Sequence, residues 1–441
     1  MSPSHHVFIW RSACSRQRRR VSMRFTNTRF VKSMCLLTCI LTLRPSVVRS
    51  QGPDSKTTDS HVPADPHERR RISNARYTGR PVYTRVTQQF EMYDPHSEEA
   101  LQDLKAMGFT QVILDWPNLH KAATDAGLNV VLANWWTLDT SDEDIDAGLA
   151  RARDVAPEKL IGFSIMDEPG RNAPDTPFTF YSDLYRVLSP VFRERFPTTR
   201  LEISHWGPMA GWPDQDYEVF SDLYEAADVM RIMPYPDLYE GPLDDVFFMI
   251  QRSRRLMEMA GLQLPLVVIL QAWVLPPRNQ LPEIDELRVM AWQAMLSGAE
   301  TLSFFEYNLD VWNREPGFHS QFRQLMAELT QFSRATRESS VETMMNDRGI
   351  LTATLTLPCG CHRRILINTR RFRNCGLRPL EVRITELSEQ RYSRRGLSHK
   401  TCAPAVPSRC VVRRAPVCTR NSRSRFRYRS RCRDLIRPGT R

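Results

Sequence analysis

Between residues 81 and 336, apolar runs rich in β-forming residues alternate with helical patterns eight times. The runs are continuously apolar, as expected for parallel strands that are covered on both faces. Eight strand–helix pairs in about 255 residues have the size and order of a (β/α)8 barrel, an α/β fold. We therefore predict strands at Val82–Phe90, Gln111–Asp115, Asn129–Asn134, Leu160–Met166, Leu201–His205, Val229–Pro234, Leu266–Gln271 and Thr301–Glu306.

Each apolar run is followed by a segment with helical periodicity. Ser97 precedes two glutamates, as a capping residue precedes acids in a first helical turn, and Gly108 marks the end of the same helix. An open doubly wound sheet is the alternative fold, but it would require a glycine-rich phosphate loop after an early strand, and the sequence has none. We therefore predict helices at Ser97–Met107, Asn118–Asp125, Ser141–Arg153, Phe178–Phe196, Asp216–Ala227, Leu243–Ala260, Pro282–Leu296 and His319–Thr336.

Charge is distributed unevenly along the chain. The 441 residues have a net charge of +11, yet residues 81–335 hold 39 acidic and 20 basic side chains, a net charge of −19. Because nucleic-acid-binding domains present basic surfaces, this acidic segment argues against a nucleic-acid partner for the barrel. All ten cysteines lie outside residues 81–335, so a barrel of this size is expected to fold without disulfides.

The amino-terminal flank contains an apolar run of ten residues, Met34–Leu43, which follows several basic residues. The run is too short to span a bilayer and is typical of a secretory signal peptide, so residues 1–50 predict a secreted or periplasmic protein. A disordered basic arm is the alternative. Met23 would give a more typical signal-peptide start than Met1, and residues 51–80 are predicted to form a polar linker.

The carboxyl-terminal flank has two parts. Residues 337–390 predict a small β-rich segment, with strands at Gly349–Leu357 and Arg364–Thr369. Residues 391–441 contain 15 arginines and one acid without a strand or helix period, which predicts a disordered basic tail. A nucleic-acid-binding arm and out-of-frame translation are the alternatives. The run Cys359-Gly360-Cys361-His362 resembles half of a metal site, but no second half follows at ligand spacing, so no metal is predicted.

Polar and aromatic residues follow most of the predicted barrel strands. The carboxyl ends of the strands build the active site in a barrel of this kind. Indole faces stack on the C–H faces of pyranose rings, while sugar hydroxyls require polar partners, so these residues favour a carbohydrate cleft over simple packing. The candidate substrate-binding residues are Trp116, Trp135, Trp136, His205, Trp206, Tyr235, Gln271, Trp273 and Asn308.

Asp167 and Glu168 end the fourth predicted strand and form the strongest chemical signal. Neighbouring strand residues point to opposite faces, so the two carboxylates are not expected to share one task. We assign Glu168 as a general acid and Asp167 as a positioning residue. A helix cap or an ion pair at the start of the next helix is the alternative.

Several segments besides Asp167-Glu168-Pro169 are familiar from one class of barrel: Ala106–Thr110, Ala126–Leu132 and Met290–Glu300. With these segments, residues 81–336 resemble glycoside hydrolase-like (β/α)8 barrel proteins, particularly secreted bacterial ones. The resemblance implies cleavage of a glycosidic bond without a cofactor.

The sequence departs from the retaining members of this class at one position. Those proteins carry a nucleophilic glutamate at the end of the seventh strand, where this chain has Gln271. Glu306 or Asp115 is the candidate for the second carboxylate, and the gap between carboxyl groups would set the stereochemical outcome. Alternatively, Asp167 orients a substrate acetamido group with help from Tyr235, as in substrate-assisted hexosaminidases.

The predicted function is a secreted glycoside hydrolase that acts on an oligo- or polysaccharide. A barrel that binds carbohydrate without cleaving it is the main alternative, since a fold does not fix a function. A nucleic-acid binder that works through the basic tail is a third hypothesis.

Overall fold

The computed structural model describes residues 74–137, 140–168, 178–205, 223–236, 241–274, 280–371 and 376–387, without the side chains of Asp142, Met166, Asp167, Phe178 and Val191. The predicted signal peptide, most of the linker, the basic tail, Trp206 and most of the helix predicted at Asp216–Ala227 lie outside these residues.

The strands follow the predicted order with small changes at their ends. They are β1 Val82–Arg85, β2 Gln89–Tyr93, β3 Gln111–Leu114, β4 Asn129–Ala133, β5 Leu160–Asp167, β6 Arg200–His205, β7 Val229–Ile232, β8 Leu266–Gln271, β9 Thr301–Phe305, β10 Ser340–Met345, β11 Ile350–Thr356, β12 His362–Asn368 and β13 Val382–Leu387.

Strands β2 to β9 are parallel and form a closed barrel in chain order. Strand β2 pairs with β3 on one side and with β9 on the other, and the second pairing closes the ring. The predicted (β/α)8 fold is therefore confirmed. The parallel strands are buried, which explains their continuous apolar runs.

The helices surround the barrel. They are α1 Glu98–Met107, α2 His120–Asp125, α3 Asp142–Ala150, α4 Phe178–Arg195, α5 Asp245–Met259, α6 Ile284–Leu296, α7 Leu309–Trp312 and α8 Phe318–Ala335. Ser97 caps α1 by accepting the Ala100 N–H, and Gly108 ends α1 with a φ of 94°, as their sequence signals predict. In the part of the chain that the structure describes, no helix is long and apolar enough to cross a membrane.

The strand predicted at Val82–Phe90 is wrong, because it joins two strands with different partners. Strand β1 pairs with β10 in an antiparallel sheet of order β1-β10-β11-β12-β13, whereas β2 belongs to the barrel. Side chains of β1 alternate between exposed and half-buried, while β2 is almost wholly buried. The predicted β-rich segment is therefore completed by a strand that precedes the barrel in the chain.

The interior of the barrel contains a buried ion pair network as well as an apolar core. Arg231 on β7 donates to Glu91 on β2 and to Glu202 on β6, with the Arg231 Nη1 to Glu202 Oε2 distance at 2.6 Å. Gln111 on β3 donates to Glu91 Oε2 at 2.9 Å. Arg231 has no exposed surface, and burial raises the pKa of Glu202 although Arg231 lies beside it.

Gly162 makes room for this network. A Cβ atom at residue 162 would lie 2.5 Å from Glu202 Oε1, so a side chain at this position would displace the carboxylate. The glycine in the middle of the apolar run of β5 is thus explained by the charged group that it faces.

We expect Arg231→Met to destabilise the protein by about 3–5 kcal/mol, because two buried carboxylates would lose their partner. Urea denaturation at neutral pH measures the change in the free energy of unfolding. The matched control is Arg186→Met, since Arg186 is exposed and pairs with Asp183 on the same helix, where an effect within about 0.5 kcal/mol is expected. Equal losses in the two variants would contradict a special contribution from the buried network.

Candidate active site

Glu168 lies at the carboxyl end of β5, as predicted. It is 7% exposed and has a φ of 49°, in the left-handed region that non-glycine residues rarely adopt. Its backbone N–H donates to the Ser204 carbonyl of β6 at 2.8 Å, which fixes the turn. Asp167 is the last residue of β5, and only its backbone belongs to the described part of the structure. A buried carboxyl is thus held in a strained backbone position at the barrel mouth.

Asp94 occupies the equivalent place after β2, and the sequence analysis missed it. Its φ is 47°, and its Oδ1 accepts the Asp115 N–H at 3.4 Å. Within the described ranges, four non-glycine residues have a positive φ: Asp94, Glu168, Glu338 and Leu380. Two of the four are therefore carboxylates at the barrel mouth.

Asp94 forms a cluster with His96 and with Glu306, which follows β9. His96 Nε2 lies 3.0 Å from Glu306 Oε1 and 4.0 Å from Asp94 Oδ2. One polar atom from each residue lies within 4.8 Å of the other two. We name Asp94, His96 and Glu306 the seam cluster, because β2 and β9 close the barrel.

Aromatic side chains lie next to the seam cluster. Tyr93 and Phe305, which precede Asp94 and Glu306, are in edge-to-face contact with ring centroids 5.2 Å apart. The Trp116 ring packs against the His96 ring at 5.6 Å. Burial at this place makes the charged form of Asp94 less stable, whereas the hydrogen bond from the Trp116 side chain stabilises it.

The surroundings shift two pKa values in the seam cluster. Burial raises the pKa of Asp94 to about 6, the charge of Glu306 adds to this effect, and His96, the Asp115 N–H and the Trp116 side chain oppose it. The hydrogen bond to Glu306 raises the pKa of His96. Asp94 therefore changes charge close to neutral pH, where proton-transfer groups of enzymes are most effective.

Within the described ranges, the seam cluster is the only group of three or more His, Cys, Asp or Glu residues that converges closely enough to surround one metal ion. Metal ligation requires a deprotonated imidazole, and the hydrogen bond to Glu306 favours the protonated ring instead. The arrangement is therefore better suited to an ion pair than to a metal centre.

The two candidates for the second carboxylate differ in their surroundings. The Glu306 side chain is 13% exposed and belongs to the seam cluster. The Asp115 side chain is 54% exposed and lies 3.4 Å from Arg151 Nη1. Arg151 also donates to Asn134 Oδ1 and to the Ala133 carbonyl, so it ties the ends of β3 and β4 together. Asp115 and Asn134 thus help to hold the ends of β3 and β4 together, whereas Glu306 is better shielded from water, as a reactive group would be.

The predicted tryptophans divide into exposed and buried side chains. Trp116 is 46% exposed and Trp135 is 54% exposed, and they follow the neighbouring strands β3 and β4. Trp136 is 4% exposed and lies close to Gly148 of α3, so it packs in the core. Trp273 is half-buried. Among the described candidate tryptophans, Trp116 and Trp135 are therefore the most available to a ligand.

The remaining predicted residues are mostly buried. Burial lowers the pKa of His205 to about 3, so its ring is neutral at physiological pH and does not act as an acid. Tyr235 is also buried. Gln271 Nε2 donates to the Trp273 carbonyl at 3.0 Å, while its buried Oε1 has no hydrogen-bond partner in the described part of the chain. The oxygen of the Asn308 side chain caps α7 by accepting the Asp310 and Val311 N–H groups.

A polar network outside the barrel holds the segment that carries Glu306. The hydroxyl of Tyr307 donates to Asp103 Oδ2 of α1 at 2.6 Å, and His319 Nε2 of α8 lies 2.8 Å from the same oxygen. Arg323 of α8 also pairs with Asp103. Because Tyr307 is buried and follows Glu306 directly, this network restricts the movement of the Glu306 backbone.

Comparisons with known proteins give only distant similarities. No protein-family model matches the sequence, and no curated protein matches it. Among solved structures, a glucosidase from Croceicoccus marinus has a TM-score of 0.43 at 13% identity, with 65% of this chain and 76% of that chain covered. A β-galactosidase from Halorubrum lacusprofundi has a TM-score of 0.42 at 12% identity, with 57% of this chain and 59% of that chain covered. A chitinase domain from Pyrococcus furiosus has a TM-score of 0.42 at 10% identity, with 56% of this chain and 97% of that chain covered. Similarities at this level carry no argument about activity, which has to come from the site itself.

We expect Asp94→Asn to stabilise the protein at pH 8 by about 1–3 kcal/mol and to have little effect near pH 4. The pKa of Asp94 rises from 3.8 to about 6 on folding, so the folded state holds this proton more tightly than the unfolded state. The penalty therefore grows as the pH rises from about 4 to about 6 and is fully present at pH 8, and the asparagine removes it. Urea denaturation at pH 4 and at pH 8 measures the change in the free energy of unfolding. The exposed Asp347, between β10 and β11, provides the control Asp347→Asn, which should show no such pH-dependent gain.

Proposed function

We propose that this protein is a secreted glycoside hydrolase that cleaves an oligo- or polysaccharide, with Glu168 as the general acid. One observation carries the proposal: two carboxylates, the buried Glu168 and the partly buried Asp94, follow strands β5 and β2 at the same end of the barrel, both with a positive φ. Such strain is retained mainly where function requires it. The apolar run at Met34–Leu43 supports the export part of the proposal.

The arrangement of the strands suits a sugar ring bound across the mouth. In the closed barrel β9 lies four strands from β5 in either direction, so Glu306 follows the strand opposite that of Glu168. Trp116 and Trp135 expose indole surface at the ends of β3 and β4, which lie between β2 and β5. A pyranose that stacks on an indole would thus bind between the two carboxylates.

Of Glu306 and Asp115, the candidates that the sequence indicates, Glu306 is the better shielded, because Asp115 is largely exposed and paired with Arg151. The substrate-assisted alternative requires Asp167 and Tyr235. Tyr235 is buried, so we propose the direct route, in which the seam cluster supplies the second carboxylate. The Asp167 side chain lies outside the described residues.

Gln271 favours a second candidate function, the binding of carbohydrate without cleavage. It ends β8, where retaining barrel glycosidases carry a glutamate, and a carboxamide cannot act as a nucleophile. Its unpartnered Oε1 would accept a hydrogen bond from a sugar hydroxyl equally well in a binding protein.

Glu168→Gln tests the proposed acid. With natural oligosaccharides as substrates, kcat/KM is expected to fall by about 10²–10⁴-fold, because a glutamine cannot protonate the leaving oxygen. With 2,4-dinitrophenyl glycosides the loss should be much smaller, because that leaving group departs without a proton. Rates are measured on panels of both kinds.

Glu158→Gln is the matched control, since Glu158 is exposed just before β5 at the opposite end of that strand. It should leave both rates unchanged. Full activity of Glu168→Gln on natural substrates would remove the assignment, and binding of a glycan without any product from the wild-type protein would favour the non-catalytic candidate.

Trp135→Ala tests carbohydrate binding. Loss of one stacking surface is expected to weaken the affinity for an oligosaccharide by about 5–15-fold, equivalent to about 1–1.5 kcal/mol. Isothermal titration calorimetry with chito-, cello- and manno-oligosaccharides, using Glu168→Gln to prevent turnover, gives the affinity. Tyr83→Ala is the control, because Tyr83 is 74% exposed on β1, in the separate antiparallel sheet. Equal affinities in the parent and Trp135→Ala would exclude stacking on this indole.

A further inference from the structure

We propose that Asp94 is the general base of this enzyme, which activates the attacking water opposite Glu168, and that the glycosidic bond is consequently cleaved with inversion. The inference rests on the proposed glycoside hydrolase function and assigns a catalytic residue that no feature of the sequence had indicated. It also accounts for Gln271, because an inverting enzyme needs no nucleophilic glutamate at the end of β8.

The position of Asp94 meets the first requirement for a base. It follows β2, which is three strands from β5 in the closed ring, and its partner Glu306 follows β9, opposite β5. The seam cluster therefore lies across the mouth from Glu168. An inverting enzyme separates acid and base to leave room for a water molecule on the far face of the sugar.

The hydrogen bonds of the seam cluster distinguish Asp94 from Glu306. Glu306 Oε1 lies 3.0 Å from His96 Nε2, so this oxygen is already engaged in a hydrogen bond with the imidazole. Asp94 Oδ2 lies 4.0 Å from the same nitrogen, beyond hydrogen-bond distance, while Asp94 interacts with the Asp115 N–H, 3.4 Å from Oδ1, and with the Trp116 side chain. The Asp94 carboxylate therefore lacks a close hydrogen bond to the imidazole and retains lone pairs with which to accept a proton from water.

The reaction balances with these groups alone. The carboxylic proton of Glu168 passes to the glycosidic oxygen as the C1–O bond breaks, and the oxygen of water forms the new bond to C1. The water gives one proton to the Asp94 carboxylate. The products are two free sugars, and Glu168 recovers its proton as Asp94 releases one to solvent.

Within the described residues, charged and hydrogen-bonding groups around Asp94 set its proton affinity. His96, on the same loop, stabilises the carboxylate, as do the Asp115 N–H and the Trp116 side chain from β3, while Glu306 from β9 opposes it. Asp310 of α7 acts on the site through His96. Because the pKa of Asp94 is about 6, it is a stronger base than an ordinary carboxylate and is still ionised at neutral pH.

The test compares Asp94→Asn with Asp347→Asn and with the wild type on 2,4-dinitrophenyl glycosides, which need a base but no acid. We expect Asp94→Asn to lose about 10²–10⁴-fold in kcat with its folded state intact, whereas Asp347→Asn keeps full activity. Wild-type kcat/KM should fall below pH 6, and this acidic limb should disappear from any residual activity of Asp94→Asn. Sodium azide should restore turnover in Asp94→Ala, because the azide anion attacks C1 without a base.

The anomer that forms first, followed by proton NMR on a natural oligosaccharide, gives a second measurement. Inversion supports the proposal, and so does a glycosyl azide of inverted configuration from Asp94→Ala. Retention of configuration, full activity of Asp94→Asn, or loss of activity with EDTA and recovery with Mn²⁺ would each overturn it while leaving the glycosidase function standing. No hydrolysis of any glycoside by the wild type would instead refute the proposed function.

Discussion

The ion pair network inside the barrel is the constraint on which the rest of the structure depends. Arg231 is fully buried and must keep both Glu91 and Glu202 as partners, which fixes β2, β6 and β7 relative to one another across the interior. Ions of this kind are expensive to bury and even more expensive to leave unpaired. A shift of register in any of the three strands would separate the charges, so the network selects one arrangement of the ring. Asp94 follows β2 only three residues after Glu91, and its position at the mouth is therefore set by this arrangement.

Backbone strain and neighbouring carboxylates at the barrel mouth destabilise the protein, and the rest of the barrel offsets this loss of stability. Asp94 and Glu168 both have a positive φ, and positions of this type destabilise a protein by about 1–3 kcal/mol each. Asp94 is also partly buried beside a second carboxylate, Glu306. The apolar cores inside and outside the barrel, together with the network of Asp103 and Tyr307, hold these groups in place. Stability is thus lowered at the strand ends, where a substrate would bind, and supplied by residues distant from it.

The sequence predicted the barrel well because its strands are buried on both faces and its helices have clear ends. It missed Asp94 and His96 because the strand predicted at Val82–Phe90 combined β1 with the start of β2 and stopped three residues too early. Had that strand been ended at Tyr93, Asp94 would have stood at a strand end, as Glu168 does. The pairing of β1 with β10 joins distant parts of the chain, so no local pattern signals it. Trp135 and Trp136 are adjacent in sequence, yet only the packing of α3 decides which of them is exposed.

The chemistry of the seam cluster is a consequence of barrel closure. His96 and Glu306 are 210 residues apart in the chain, and they meet because β9 pairs with β2. Before the ring closes, Asp94 has neither the burial nor the neighbouring carboxylate that raise its pKa. A carboxylate with ordinary acidity would be a weak base at neutral pH, whereas one with a pKa of about 6 combines ionisation with useful proton affinity. The last pairing in the ring therefore both completes the fold and creates the surroundings of Asp94, so the role in water activation that we propose for Asp94 depends on the closed state of the barrel.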